Sequence, residues 1–177
     1  MGTIFVDNLE PQSGTSLTLG ASGDTIALTS GAIQSNFLSP AFHAYASGGG
    51  SNQTVSDATA TKITLFDTEL FDTDSAYDNT SGNYKFTVPS GEAGKYFVYA
   101  KLSYSASSSN RIRFFKNGSL FSDTFYDSNN NGTIDSSLIM DLSASDYIQI
   151  KAFATTSFTT YGSDYRCVFL AYKLIGV

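Results

Sequence analysis

Residues 86–104 read FTVPSGEAGKYFVYAKLSY. Phe86–Pro89 reads as the end of a strand, because Pro89 has no N–H to give to a central ladder. Ser90-Gly91-Glu92-Ala93-Gly94 is a polar, glycine-bearing link of hairpin length. After it, Tyr96, Val98, Ala100, Leu102 and Tyr104 share one face of a new strand, and Phe97, Tyr99, Lys101 and Ser103 share the other. The first face is apolar throughout, as a core face should be. A strand with one wet face should not turn Phe97 and Tyr99 outward. Those two rings therefore call for a second partner, either another sheet edge or another subunit.

The rest of the chain has the same bias. It carries 14 Phe and 11 Tyr and no Trp among 177 residues, and 41% of it is apolar. That is enough for one domain of ordinary size plus an arm. Abundant Ser and Thr with few Leu and Glu give the balance of strands and turns, and no amphipathic helix is visible. The formal charge is −6, from 16 acidic against 10 basic residues. With no basic run to neutralise phosphates, neither nucleic acid nor an anionic membrane is expected as a partner. Cys167 stands alone. It rules out an intrachain disulfide, and among Val168, Phe169 and Leu170 it reads as a buried inert thiol. No apolar run reaches membrane-spanning length. MGTIFVDNLEPQSG has neither the basic nor the apolar region of a signal peptide, so assembly in a cytosol is expected.

Residues 1–38 differ in texture from the remainder. Ser16-Leu17-Thr18-Leu19 alternates, Gly20–Gly23 turns, and Thr25-Ile26-Ala27-Leu28-Thr29 alternates again, a weak repeat of about nine residues. Each rung has too little apolar surface to order itself. Such a segment is disordered alone, wound with copies of itself, or pinned on a larger surface. The regular placing of Leu17, Leu19, Ile26 and Leu28 favours the ordered, intermolecular reading. Ile4, Val6, Leu17, Leu19, Ile26 and Leu28 are its attachment candidates.

Ser39-Pro40 marks the boundary of a compact domain, residues 39–177. Strands are predicted at 41–46, 61–66, 84–88, 95–105, 111–116, 119–126, 133–142, 147–154 and 164–175. Asn117-Gly118 is the strongest hairpin signal. Asp67–Ser81 reads as acidic and irregular, Ser105–Asn110 as a turn, and Thr155–Ser163 as a loop. The last strand is apolar on both faces, with Tyr165, Cys167, Phe169 and Ala171 on one and Val168, Leu170, Tyr172 and Leu174 on the other. Eight to ten strands with regular turns make a sandwich.

The order Pro40-Ala41-Phe42, Phe86-Thr87-Val88-Pro89, Gly94-Lys95-Tyr96-Phe97-Val98, Phe115-Lys116-Asn117-Gly118, Asp146–Ile150 and Phe169-Leu170-Ala171-Tyr172 resembles the globular heads of complement component one, subcomponent q. Those heads share a ten-stranded jelly roll with the tumour necrosis factors. The resemblance covers roughly the last three-quarters of the chain. It implies an all-β jelly-roll sandwich, preceded here by an extended β-rich arm, and a tight homotrimer with an aromatic sheet turned to the three-fold axis. Interface candidates are then Phe97, Tyr99, Val168, Phe169, Leu170 and Tyr172, with the sheet face left open. The chain departs from the animal members in having no recognisable signal peptide, no collagen stem and no paired cysteines. That points away from an immune or hormone-like role.

The leader PQSGTSLTLGASGDTIALTSGA, residues 11–32, resembles the leaders of virion structural proteins in tailed phages, where short strand-and-glycine stretches precede a trimeric knob. Together the two resemblances imply a non-enzymatic virion protein: a trimeric fibre or decoration knob on capsid or tail, assembled in the host cytoplasm and held to other virion proteins by its arm. The alternative is a receptor-binding adhesin whose loops Ser47–Thr54, Asp127–Gly132 and Thr155–Ser163 touch host surface glycan. A depolymerase and a secreted module of the same fold are weaker readings.

The residues that carry chemistry elsewhere have plain explanations here. His43, the single histidine, has no triad context and is expected to be a packed or surface residue. Asp127–Asp135 matches the first nine positions of a calcium loop, but Leu138 stands where the bidentate Glu belongs, so a polar hairpin tip is expected instead. Asp67, Glu69, Asp72, Asp74 and Asp78 lie close enough to supply a glycosidase pair, yet no aromatic platform accompanies them and a solvated loop is expected. No metal or cofactor is expected.

Overall fold

The computed structural model describes Ser13 and residues 39–48, 52–105, 107–128, 130–163 and 165–176. The chain falls into two units, Met1–Ser35 and Asn36–Val177; the second is the one described below.

Among the described residues every regular element is a strand: β1 (Ala41–Tyr45), β2 (Gln53–Val55), β3 (Thr61–Lys62), β4 (Thr68–Asp72), β5 (Tyr77–Asp78), β6 (Lys85–Thr87), β7 (Gly94–Tyr104), β8 (Ser107–Lys116), β9 (Ser119–Ser128), β10 (Gly132–Leu142), β11 (Tyr147–Phe153), β12 (Phe158–Thr160) and β13 (Val168–Gly176). They form two antiparallel sheets. In the first, β10 lies along the whole of β7, and β13, β1 and β4 follow in that order on the other side of β7. β12 pairs β7 only at Tyr104 and leads on to β2. The second sheet runs β5-β6-β11-β8-β9, with β3 also on β11. The architecture is the expected all-β sandwich curled as a jelly roll.

The strand count differs from the expected ten. Thirteen strands occur among the described residues, because stretches read as loops contribute short rungs. Thr155–Ser163 contains β12, and its Phe158 is buried against Tyr104. The acidic stretch Asp67–Ser81 contains β4 and β5. There the carboxylate of Asp72 accepts from the backbone N–H groups of Asp74, Ala76 and Tyr77, so acids build the turn between the two strands. Such rungs pair backbone groups that would otherwise be buried without partners. The turn read at Ser105–Asn110 is shorter, since β8 begins at Ser107. The closing strand starts at Val168 and not at Asp164, because Tyr165 sits at φ 58 in a turn closed by Arg166 N–H on Ser163 O.

β7 alternates buried and half-exposed along all 11 residues. Its inner residues Tyr96, Val98, Ala100, Leu102 and Tyr104 are at most 1% exposed. The core they enter is aromatic. Phe42 of β1 stacks on Tyr77 at 4.7 Å and on Phe86 at 5.0 Å, and meets Phe169 edge-on at 4.8 Å. These rings tie the first sheet to β5 and β6 of the second. Asn117 and Gly118 take φ 51 and 80, the double positive φ that a two-residue hairpin of matching twist needs. The Asn117 side chain also donates to Asp146 and accepts from Tyr147 N–H, tying the β8–β9 turn to the start of β11.

Gly132 begins β10 opposite Tyr104. A Cβ there would stand 2.9 Å from Tyr104 Oη and 3.2 Å from Cζ. Tyr104 is fully buried, so its ring has no free space to swing into. Gly132→Ala is therefore expected to cost roughly 1–3 kcal/mol by overpacking, seen as a lower urea midpoint. An unchanged midpoint would show that the ring is free to move.

Candidate functional site

The outward residues of the β10–β7–β13–β1–β4 sheet come into rows through strand register. Ile139, Phe97, Tyr172 and Ala41 form one row, and Ser137, Tyr99, Leu170, His43 and Phe71 the next. A third runs Asp135, Lys101, Val168 and Tyr45. The first row is apolar across four strands, and the second is apolar at Tyr99, Leu170 and Phe71, with Ser137 at its β10 end and His43 between Leu170 and Phe71. Ile139 is 61% and Phe71 47% exposed, and Phe97, Tyr99, Leu170 and Tyr172 are half-buried. Phe97 and Tyr172 touch ring to ring at 5.3 Å, so the face is packed laterally but open above.

Four of the six interface candidates, Phe97, Tyr99, Leu170 and Tyr172, thus stand together on one face. Val168 shares that face but is only 7% exposed, directly opposite Tyr45, whose ring stacks on Tyr165 at 3.9 Å. Phe169 does not belong with them. Strand alternation turns it inward, where it is fully buried among Phe42, Phe66 and Tyr77. Of the closing strand, apolar on both faces, the inner set is buried and the outer set is half-exposed except at Val168. Ile139, Phe71 and His43 were missed as members of the face. The signal for Ile139 was present: it is the one apolar residue in the outward set Asp135, Ser137, Ile139, Asp141. The arm candidates Ile4, Val6, Leu17, Leu19, Ile26 and Leu28 lie outside the described residues.

His43 sits between Tyr45 and Phe71, with ring centroids at 6.3 and 6.1 Å. Its Nε2 is buried and has no hydrogen-bond partner among the described residues. Burial first, then the nearby Lys101 charge, lower its pKa from the ordinary 6.5. A histidine held neutral in the fold binds its proton more readily when unfolded. Stability is therefore intact above about pH 6.5 and falls as pH drops below that value. His43→Gln should flatten the fall in melting temperature between pH 7.5 and 5.5, and an identical fall in both chains would show that His43 does not contribute.

The other candidates resolve into structural roles. The Cys167 thiol is buried, donates to Tyr161 O at 3.2 Å, and is pushed up to about 11 by burial. Asp67 accepts from Ser47 N–H, and Asp74 from the Ser39 and Thr73 hydroxyls. Asp78 accepts from Thr80 and from Asn83, and its hydrogen bonds with Thr80 hold its pKa below the ordinary value. These carboxylates tie turns and neighbouring segments together. Among the described residues no three of His, Cys, Asp and Glu gather as metal ligands. Asn129 of the calcium-like stretch lies outside the described residues, and Asp135 pairs opposite Lys101.

No protein-family model matches the sequence, and no curated protein sequence matches it. Solved structures do match. The globular domain of zebrafish complement 1qA protein superposes with a TM-score of 0.53 at 15% identity, over 78% of this chain and 99% of that one. Murine APRIL gives 0.52 at 13% identity, over 76% and 98%. The PRD1 vertex protein P5 gives 0.53 at 12% identity, over 78% and 99%. The fold is a jelly roll similar to that of these C1q/tumour necrosis factor-like domains. At identities this low the likeness is one of fold alone. Within this jelly roll, β7 is the strand whose two faces divide the labour: one fills the protomer core, and the other holds the centre of the exposed aromatic face.

Proposed function

We propose that three copies of residues 39–177 close around a three-fold axis through the outer face of the β10–β7–β13–β1 sheet. The trimer is a structural protein of a tailed-phage virion, a fibre or decoration knob. Residues 1–38 attach it to capsid or tail proteins, and it is assembled in the host cytoplasm. The observation that carries this reading is the apolar row Ile139–Phe97–Tyr172 beside the largely apolar row Tyr99–Leu170–His43–Phe71. Monomeric proteins seldom leave a contiguous patch of that kind in water. The protomer's own core is complete without these rings, so they are surplus to its folding. The fold shared with PRD1 vertex protein P5 supports the virion setting.

The full chain is expected to elute with light-scattering mass three times that of one copy, and antibody raised against it should label purified particles. A monomer would end the trimer reading. Unlabelled particles would end the virion reading and leave the trimer standing.

A receptor-binding role is the second reading. Register favours it, because Gly132 and Thr160 both meet Tyr104, and Tyr161 N–H donates to Ser103 O. The β9–β10 turn and the chain around β12 therefore lie at one end of the sandwich.

A further inference from the structure

The ten cations look dispersed in the sequence, but the second sheet gathers half of them on its outer face. β3, β11 and β8 place Lys62 opposite Lys151, and Lys151 opposite Arg113. Arg111 lies two residues along β8, and Lys85 is on β6 of the same sheet. Like charges directly opposite on neighbouring strands destabilise a sheet. Here three cations follow one another across three strands, about 5 Å apart by strand spacing. The anion set against them is small. Asp123 of β9 accepts from both Arg111, at 2.9 Å, and Arg113, at 3.1 Å. Arg111 Nε is buried with no acceptor among the described residues. The Lys62 ammonium donates to the Gly82 carbonyl, and Asp78 stands opposite Lys85. A chain of formal charge −6 thus carries a locally cationic sheet face, at a cost in folding stability.

The rings on this face are held under cations. Arg113 lies 4.0 Å over Phe153 and Lys151 4.1 Å over Phe115, with Lys85 5.0 Å over Tyr147. Arg111 lies 4.9 Å over Phe125, which is itself 50% exposed. The cations are fixed in place by these contacts, so less entropy is lost when they meet an anion.

We infer that the outer face of the β5–β6–β11–β8–β9 sheet docks a carboxylated polysaccharide, with Lys62 and Lys151 as the pair that meets successive carboxylates and Arg113, held by Asp123 and only 17% exposed at its side chain, adding its charge behind them. Charge complementarity selects an anion. The carboxylate of Asp123, gripped by two guanidinium groups, shows which anion geometry the arginines fit. A nucleic acid is disfavoured on two counts. Its dense charge is repelled from afar by an acidic protein, and three of the face's rings, Phe153, Phe115 and Tyr147, lie under Arg or Lys and leave Phe125 as a lone platform for a base. The inference is independent of the virion reading; it uses the trimer only in that the axis is formed by the other sheet.

The test is retention of the full-length chain on immobilised polygalacturonate, with neutral dextran and single-stranded DNA as comparators. Binding to polygalacturonate should weaken as salt rises. Lys62→Glu and Lys151→Glu should each weaken it about tenfold, with oligomer mass unchanged and, because a like-charge contact is relieved, the melting temperature not lowered. The milder Lys62→Gln and Lys151→Gln should lose less and keep the fold should the reversals not. The inference is overturned by wild-type chain that passes polygalacturonate unretained, by retention that the glutamine variants leave intact, or by dextran or DNA held as tightly. Oligomer mass is read in the same samples, so a lost trimer and a lost glycan site are told apart.

Discussion

A Tyr99→Glu chain is expected to be a folded monomer. Tyr99 stands at the centre of the aromatic face, with Ser137 opposite on β10 and Leu170 opposite on β13. It is only half-buried in the protomer, and burial has already raised its phenol pKa above the ordinary 10. In a single copy a glutamate at this position reaches water, so the protomer loses little. At a three-fold contact the same carboxylate is pressed against apolar rings from a neighbour. Leaving a charge there without a partner costs roughly 2–5 kcal/mol at each interface, and a closed trimer has three. Light scattering at a fixed concentration reads the result, and unchanged far-ultraviolet circular dichroism excludes unfolding. A trimer that persists in Tyr99→Glu would put the axis on some other surface. Ile139→Glu offers a second probe, since Ile139 is 61% exposed in the protomer and its replacement has almost no core to disturb.

Phe169→Ala should have the opposite signature. Phe169 is the sequence neighbour of Leu170, one step along β13, yet it faces inward. Its ring meets Phe42 at 4.8 Å, Phe66 at 5.5 Å and Tyr77 at 5.8 Å, joining the two sheets. Truncation removes buried apolar surface and leaves a cavity between sheets that cannot collapse without shifting β1 and β5. The expected loss is roughly 3–5 kcal/mol, a fall in melting temperature on the order of 10 °C. The protomer unfolds first, and any trimer is lost only with it. A fall of only a degree or two, accompanied by dissociation, would return Phe169 to the interface. The two substitutions, on adjacent strands of one sheet, thus separate packing within a copy from packing between copies.

How much of this was legible beforehand depends on the range of the signal. The two faces of β7 follow from a period of two, which is a property of neighbouring residues, and each inner residue was placed correctly. The Asn117-Gly118 hairpin was readable for the same reason, since both residues tolerate the left-handed conformation that the turn needs. Phe169 could not be assigned from sequence, because both alternate sets of the last strand are apolar and periodicity does not say which one meets the core. The short rungs β2, β5 and β12 carry too few residues for a periodic signal, and they exist only because a partner strand is there. The acidic stretch read as irregular for lack of alternation, while its strand-and-turn geometry is set by Asp72 reaching backbone amides up to five residues on.

Sequence by itself determined the all-β class, the core face of β7, the tight hairpin and the surplus of aromatic surface. These are local or compositional quantities, fixed once the order of side chains is fixed. Only the tertiary structure decided which surplus residues share a face. Ile139, Phe97 and Tyr172, like Lys62, Lys151 and Arg113, come from strands far apart in the chain. Register between those strands sets each row, and a shift of one residue would turn every member to the other side.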